Sequence, residues 1–282
     1  MNKLIFSDVD GTLVDHSFTV TDDINNRLKE LNAKFVVATG RMYDSAQHLN
    51  LEINADMICS NGSEVIVDNE MLIQKTMDKD TARGIVRKLI SEQKYLNIYT
   101  TSGVYVPTFE GLLEVIMEET YTYAKAISTS VEEFEANVNG HLHLFYNTNI
   151  ATDDIDSVLD TSDVIKLEIV DCHNQKDTID SLESNYEVSA YSSFGNNLEI
   201  VPKGITKVHG ITKYVEHMEL GDHLTFAIGD GSNDIEMLKH ADVGIAMGNA
   251  CEQLKQIADH VVSTQSDGGM LEALEFIANY KH

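Results

Sequence analysis

Short, uninterrupted apolar runs recur near both ends of this chain, and most are followed by segments with apolar residues every three or four positions. The strands that these runs predict cover residues 4–6, 35–38, 57–59, 225–228, 243–246 and 260–262. Such runs are typical of buried parallel strands, and the wider spacing is typical of amphipathic helices. After Thr21, for example, Ile24, Leu28 and Leu31 share one helical face. Further helices are expected at 43–49, 205–215, 235–240 and 270–277. The two ends of the chain are therefore predicted to form one Rossmann-like parallel sheet flanked by helices.

The middle of the chain follows a different pattern, because apolar and polar residues alternate within its predicted strands. After a hairpin at 64–73, we predict helices at 79–92, 111–120, 153–159 and 176–183, and strands at 96–99, 104–106, 141–145 and 164–170. Alternation indicates a sheet with one polar face, covered by helices on one side only. The sequence therefore predicts an α/β core formed by residues 1–81 and 187–282, with an inserted α+β domain at 82–186.

The composition narrows the classes of partner. The formal charge of −26 argues against a nucleic-acid backbone or an anionic membrane, since both attract clusters of Lys and Arg. The three cysteines, Cys59, Cys172 and Cys251, are far apart in the sequence, which favours reduced thiols over a disulfide framework or a zinc site. No apolar segment has the length of a membrane span or of a signal sequence. We therefore expect a cytoplasmic protein.

Two carboxylates, Asp8 and Asp10, follow the first apolar run, and Gly11 comes directly after them. The carboxyl end of a parallel strand borders the crevice in which open α/β sheets bind ligands, so both side chains could face one small charged ligand. An ordinary Asp-Gly turn would give the same local pattern. The distal parts of the chain decide between these two interpretations.

Further polar groups lie at or just beyond the carboxyl ends of the other predicted core strands. Thr39 and Gly40 follow the second run, although Thr39 could instead begin a helix. Lys207 precedes the later motif, with Lys203 as an alternative candidate for the same role. The last group, Asp230, Asn233 and Asp234, resembles a calcium loop, but the remaining ligands of such a loop do not follow at the required spacing.

Taken in order, Asp-x-Asp-Gly-Thr from Asp8, Ala-Thr-Gly-Arg from Ala38 and Gly-Asp-Gly-Ser-Asn-Asp from Gly229 resemble the motifs of the haloacid dehalogenase-like hydrolase superfamily. The segment Pro202-Lys203-Gly204-Ile205-Thr206-Lys207 and the α+β insert between the second and third motifs resemble its Cof-type branch. The resemblance covers the whole chain, with motifs in both core segments and the expected layout in the insert.

The resemblance implies a role for each motif residue. Asp8 matches the nucleophile that forms an aspartyl-phosphate, and Asp10 matches the general acid and base. Asp8, the Asp10 carbonyl and Asp230 match the ligands of Mg²⁺. The positions that match phosphate-binding groups are Val9, Thr39, the Gly40 N–H, the Lys207 cation and Asn233. Asp234 matches a residue that supports the metal-binding and phosphate-binding groups without contacting the metal itself. Arg41 and Asn61 are expected near the mouth of the site, where they could merely support loops, and are left out of the catalytic set.

By the same resemblance, the chain is expected to be a Mg²⁺-dependent phosphatase that acts on a small phosphorylated metabolite. Sugar phosphates are the substrate class that the resemblance favours. The insert would serve as a cap that selects the leaving group. Two alternatives stay open, a phosphomutase with the same aspartate and a non-catalytic sensor of phosphorylated ligands. In the insert, Tyr121 and Tyr123 could stack on a substrate or belong to the core. His141 and His143 could be a metal pair or simply a polar strand face.

Overall fold

The computed structural model describes residues 2–14, 19–108, 110, 112–128, 130–170, 172–192, 196–219 and 221–281. In these ranges the strands are β1 (Asn2–Ser7), β2 (Ala33–Ala38), β3 (Asp56–Cys59), β4 (Glu64–Val67), β5 (Glu70–Gln74), β6 (Leu96–Thr100), β7 (Gly103–Pro107), β8 (Asn149–Thr152), β9 (Val164–Ile169), β10 (Val188–Ser192), β11 (Leu198–Pro202), β12 (His223–Gly229), β13 (Val243–Ala246) and β14 (His260–Val261). The helices are α1 (Asp22–Glu30), α2 (Tyr43–Ala46), α3 (Lys79–Ser91), α4 (Leu112–Ile127), α5 (Val131–Thr148), α6 (Ile155–Thr161), α7 (Gln175–Asn185), α8 (Lys207–His217), α9 (Ile235–His240), α10 (Glu252–Ile257) and α11 (Gly269–Asn279).

The chain divides into two compact units, and the second is inserted in the sequence of the first. The first unit comprises Met1–Lys75 and Gly204–His282, and the second comprises Thr76–Lys203. These limits differ from the predicted 81/82 and 186/187. Met77 belongs to the second unit because it is buried in that unit's core. Strands β10 and β11 belong there too, because β11 pairs with β9.

The first unit contains the predicted parallel sheet. Its strand order is β14-β13-β12-β1-β2-β3-β4-β5, and the six strands from β14 to β3 are parallel to their neighbours. The hairpin β4-β5 adds the antiparallel edge. The α/β fold class with an inserted domain is thus confirmed. All six parallel strands end at the same edge of the sheet, and candidate site residues follow the ends of β1, β2 and β12.

The central strand β1 shows why this sheet is so apolar. Leu4, Ile5 and Phe6 are each at most 2% exposed, because β1 has neighbours on both edges and packed side chains on both faces. Next along the chain, helix α1 begins at the predicted N-cap, where the Thr21 hydroxyl accepts a hydrogen bond from the Ile24 N–H. Helix α2 is shorter than the predicted 43–49 and ends at Ala46.

The second unit is built on a mixed sheet of order β10-β11-β9-β6-β7-β8. The apolar face of this sheet packs against α3, α6 and α7. A helix also packs on the opposite face of this sheet, so the prediction of a sheet covered by helices on one side only is wrong. Val106 lies on the opposite face from Tyr105, and it packs against Ile116 of α4.

The prediction of a strand at 141–145 is wrong, because these residues belong to helix α5. The apolar residues of 141–145 alternate over five positions, but over a longer window Phe134, Val138 and Leu142 recur every four residues, which is the helical period. Tyr121 of α4 stacks on Phe134 of α5, with ring centroids 6.0 Å apart. The side chains of Tyr123, His141 and His143 lie outside the described residues. Strand β8, which follows α5, was not predicted.

Within the part of the chain that the structure describes, no helix combines the length and the apolar composition that crossing a membrane requires.

Candidate active site

Three strands and one helix bring the predicted site residues to one edge of the first unit's sheet. Asp8 follows β1, and its N–H donates to the carbonyl of Ile228 in β12, 2.9 Å away. Asp230 follows β12, and Thr39 follows β2. Lys207 is the first residue of α8, whose N-cap is Thr206. Asp8 and Asp230, which are more than 200 positions apart in the sequence, therefore meet at the carboxyl ends of neighbouring strands, and Lys207 reaches them from helix α8.

Lys207 lies between two carboxylates. Its Nζ donates to Oδ1 of Asp8 and to Oδ1 of Asp234, each at 2.6 Å. The Lys207 side chain is 1% exposed and that of Asp234 is fully buried. A buried ammonium is stable only with such partners, so the ion pair fixes the position of the nucleophile candidate. Among the described residues, nothing donates a hydrogen bond to the other Asp8 oxygen, Oδ2.

Asp234 also holds the loop that carries Asp230. Its Oδ2 accepts the N–H groups of Asp230 at 3.0 Å and of Gly231 at 2.9 Å. Because its other oxygen accepts from Lys207, Asp234 is already engaged on both sides. This arrangement suits a supporting role behind Asp8 and Asp230.

Neutral groups donate to both oxygens of Asp230. The Thr12 hydroxyl donates to Oδ1 at 2.9 Å, and the Asn249 amide donates to Oδ2 at 3.2 Å and to the Gly11 carbonyl at 2.9 Å. Gly11 has φ +79°, and a Cβ there would lie 2.4 Å from Oδ2 of Asp230. Glycine is thus required at this position by both its backbone conformation and its close approach to the carboxylate.

The charges at this site are unbalanced, because three buried or half-buried carboxylates surround a single lysine. Burial raises the pKa of Asp8 well above its usual value, and Asp234, Asp230 and Asp10 add to that rise against the opposing effect of Lys207. Burial, with Asp234, also raises the pKa of Asp230 to about 6. Burial alone would lower the pKa of Lys207, but Asp234 and Asp8 outweigh it and raise that pKa. The site therefore has an excess of negative charge in a poorly hydrated place.

The donor set fits a divalent metal ion. One oxygen from each of Asp8, Asp230 and Asp234 lies within 4.8 Å of the others. Asp8 Oδ2 has no hydrogen-bond donor among the described residues, and the donors to Asp230 are neutral, so both carboxylates retain lone pairs for a cation. Oxygen ligands of this kind suit hard cations such as Mg²⁺ and Ca²⁺. Asp8 and Asp230 are accordingly the residues that could hold the ion.

Asp10 lies apart from this cluster, in a bidentate ion pair with Arg41. The Arg41 Nε donates to Oδ2 of Asp10 at 2.9 Å, and Nη2 donates to Oδ1 at 2.5 Å. The Asp10 side chain is 40% exposed, in contrast to the buried Asp8. The two aspartates of the motif therefore have different partners and different access to water.

The remaining predicted residues surround the same edge of the sheet. Thr39 is fully buried, and its hydroxyl accepts the Arg41 N–H at 3.1 Å. Gly40 lies between these two residues and is half-buried. The Val9 side chain is fully buried and its carbonyl accepts the N–H groups of Leu13 and Val14. Only the backbone N–H of Val9 is therefore suited to contact a ligand.

Four residues that the predicted set did not include take part in this geometry: Thr12, Arg41, Asn61 and Asn249. Thr12 stands inside the first motif, so its role was open to prediction from the sequence. Asn249 closely follows β13, and the rule that selected Asp230 would have selected it too. The Asn61 side chain accepts a hydrogen bond from the Asn233 amide at 3.2 Å. The contacts of Arg41 and Asn61 depend on how the chain packs, which their positions in the sequence do not indicate.

Comparison with known proteins agrees with this geometry. The family profile of haloacid dehalogenase-like hydrolases matches residues 5–274. The chain belongs to the haloacid dehalogenase-like hydrolases. The resemblance seen in the motifs is thereby confirmed, including the Cof-type branch.

Relatives and solved structures match over nearly the whole chain. The phosphatase YwpJ of Bacillus subtilis is 28% identical over 289 residues, covering 98% of this chain and 99% of the relative. The 5-amino-6-(5-phospho-D-ribitylamino)uracil phosphatase YcsE of the same organism is 25% identical over 278 residues, covering 96% and 94%. A haloacid dehalogenase-like hydrolase structure from B. subtilis has a TM-score of 0.81 at 23% identity, covering 96% of this chain and 98% of that one. This last match supports the fold.

Replacing Lys207 with methionine should destabilise the metal-free protein. The variant leaves Asp8 and Asp234 buried without their cation, and breaking a buried pair in this way typically costs about 3–5 kcal/mol. We expect a correspondingly lower urea midpoint, followed by circular dichroism.

Lys203→Met provides the matched control. Lys203 pairs with Glu187 at the surface, where both side chains are more than half exposed, and such pairs contribute less than about 1 kcal/mol. Equal urea midpoints for Lys207→Met and the wild type would contradict a stabilising role for the buried pair.

Proposed function

We propose that this protein hydrolyses small phosphate monoesters, with sugar or polyol phosphates as its substrate class, through an aspartyl-phosphate on Asp8 and with Mg²⁺ as cofactor. The observation that carries this proposal is the buried Asp8 carboxylate, held on one oxygen by Lys207 at 2.6 Å while the other oxygen has no donor among the described residues. A fixed carboxylate beside a buried cation suits attack on phosphorus.

In the first half of the reaction, an Asp8 oxygen forms a bond to phosphorus while the bond from phosphorus to the leaving alkoxide breaks. Asp10 gives its proton to that alkoxide. In the second half, Asp10 takes a proton from water, and the resulting hydroxide displaces Asp8 to release inorganic phosphate. One Asp10 oxygen must leave the guanidinium of Arg41 for these transfers, and its partial exposure allows contact with water.

The other site residues serve to position the phosphoryl group. Lys207 offsets the charge of Asp8 and the phosphate, while the Thr39 hydroxyl, the N–H groups of Val9 and Gly40, and Asn233 supply hydrogen-bond donors. Mg²⁺, held by Asp8, Asp230 and the Asp10 carbonyl, would reduce the repulsion between the nucleophile and the phosphate dianion. Asp234 keeps Lys207 and the Asp230 loop in place.

The substrate class is inferred from the relatives and from charge. The name of the relative YcsE specifies a phosphate on a ribityl chain that is attached to an aminouracil, so that its phosphate is esterified to a polyol chain. In this chain, residues 82–186 carry 18 acidic and 7 basic side chains, a net charge of about −11, which disfavours polyanionic substrates. We propose that this segment acts as a cap that selects the leaving group and excludes bulk water.

Asp8→Asn tests the nucleophile. The amide cannot form the acyl phosphate, so we expect kcat/KM to fall at least about 1,000-fold on any phosphate ester that the wild type hydrolyses. The fold should persist, because the asparagine amide oxygen can still accept the hydrogen bond from Lys207 and Asp234 remains as the anionic partner of that ammonium. Asp222→Asn, a change at an exposed aspartate of the same unit, should leave turnover unchanged.

The same assay separates the alternatives to hydrolysis. Stoichiometric release of inorganic phosphate is expected, and transfer of the phosphoryl group to a second sugar would instead indicate a phosphomutase. Full activity of Asp8→Asn would exclude Asp8 as nucleophile. A wild type that binds phosphate esters but hydrolyses none of a broad panel would indicate a sensor.

Asp230→Asn tests the metal ligands. Loss of one of the two anionic ligands should weaken Mg²⁺ binding at least about 10-fold, as measured by titration calorimetry without substrate. The Asp222→Asn variant should bind Mg²⁺ like the wild type. Unchanged Mg²⁺ affinity of Asp230→Asn would remove Asp230 from the ligand set, whatever the activity of the variant.

Substrate ranking tests the proposed class. We expect higher kcat/KM for hexose and pentose monophosphates than for nucleoside triphosphates, since the triphosphates carry more negative charge toward an acidic protein. Higher ionic strength should narrow the difference, because salt screens this repulsion. Equal or better turnover of triphosphates at low salt would contradict the ranking.

A further inference from the structure

Residues 60–62, which we call the left-handed turn, follow β3 at the same edge of the sheet as the candidate site. The backbone angle φ is 50° at Ser60, 53° at Asn61 and 100° at Gly62. Non-glycine residues rarely adopt this conformation, which costs on the order of 1–3 kcal/mol and persists only where the surrounding structure holds it. Two such residues in succession indicate that the turn is fixed by specific contacts.

Those contacts reach elements that carry the proposed phosphate-binding groups. The Ser60 N–H donates to the Arg41 carbonyl at 2.7 Å, and the Asn61 N–H donates to the Thr39 carbonyl at 3.0 Å. On the other side, a Cβ on Gly62 would lie 2.1 Å from the carbonyl oxygen of Thr206. Thr206 caps the helix that begins with Lys207. The turn therefore sets the spacing between the Thr39 loop and the start of α8.

The Asn61 side chain reaches the loop after β12. It is buried, with 1% exposure, and its Oδ1 accepts a hydrogen bond from Nδ2 of Asn233 at 3.2 Å. Asn233 stands between Asp230 and Asp234 in the sequence. Because the Asn61 oxygen can only accept, it determines which end of the Asn233 amide faces the turn.

We propose that Asn61 is a positioning residue of the phosphate-binding site, which orients Asn233 through its side chain and holds the Thr39 loop through its backbone N–H. This inference rests on the proposed function, in which Thr39 and Asn233 contact the phosphoryl group. Asparagine suits both tasks, since it tolerates positive φ better than most residues and carries the required acceptor. Glycine would retain the backbone conformation and lose only the amide.

Asn61→Gly separates these two tasks, and Asn69→Gly is its matched control. Asn69 also has positive φ, at 64°, but lies exposed in the turn between β4 and β5 of the same sheet. We expect both variants to fold, as judged by circular dichroism. Asn61→Gly should lower kcat/KM about 10- to 100-fold, with a higher inhibition constant for inorganic phosphate, because small misplacements of binding groups have effects of this size. Asn69→Gly should change neither.

A double-mutant cycle tests whether Asn61 acts through Asn233. In an Asn233→Ala background, adding Asn61→Gly should lower kcat/KM by less than about twofold, since the partner is already absent. Fully additive losses would overturn the proposal, as would wild-type kcat/KM and phosphate inhibition in Asn61→Gly. If Asn61→Gly is unstable, Asn233→Ala alone remains decisive, because an unchanged inhibition constant for phosphate would refute the role assigned to this pair.

These outcomes are distinct from failure of the proposed function. Asp8→Asn reports on the chemistry, whereas the Asn61 and Asn233 variants report on phosphate positioning. A strong loss in Asp8→Asn combined with no effect of Asn61→Gly would leave the phosphatase proposal intact and overturn only the positioning role.

Discussion

A single buried ammonium holds the candidate site together. Lys207 contacts Asp8 and Asp234 at 2.6 Å each, and these residues come from three separate segments of the chain. A charge in such a place is tolerated only with its partners present, so the helix α8, the end of β1 and the loop after β12 must assemble together. The site is therefore a consequence of closing the first unit from both ends of the chain.

The charges of this cluster explain why the site is expected to attract a cation. One lysine offsets only part of the charge of Asp8, Asp230 and Asp234, and burial makes the remainder costly, as the raised pKa values of Asp8 and Asp230 indicate. A protein could relieve this by protonating the carboxylates or by binding a divalent ion. The oxygen-only donor set at this site suits the second solution, because hard divalent ions take oxygen ligands.

Some parts of this site can be predicted from the sequence because a local pattern marks them, whereas others depend on contacts between distant segments. The positions of Asp8, Thr39 and Asp230 follow from a short-range rule, since an apolar run marks a buried strand and the polar residue after it stands at the ligand-binding edge. The pairing of Arg41 with Asp10 depends on how two loops pack, which no spacing in the sequence records. The five alternating residues at 141–145 predict a strand, but the four-residue spacing of apolar positions over a longer window matches the helix α5 that is observed. The observed limits of the inserted unit, Thr76 and Lys203, differ from the predicted ones. At the second limit the reason is that β11 pairs with β9 and β10 pairs with β11, and neither pairing is recorded in the local pattern of the sequence.

The contrast between the two aspartates of the first motif follows from where β1 ends. Residues two apart in a strand point to the same side, but β1 ends at Ser7, so Asp8 and Asp10 diverge. Asp8 stays in the buried cluster beside Lys207, where a nucleophile is shielded from water. Asp10 reaches the partly exposed side beside Arg41, where a group that exchanges protons with water has to be. Two chemically identical side chains thus differ in burial and in partners, and this difference is the physical basis for proposing that one attacks phosphorus and the other transfers protons.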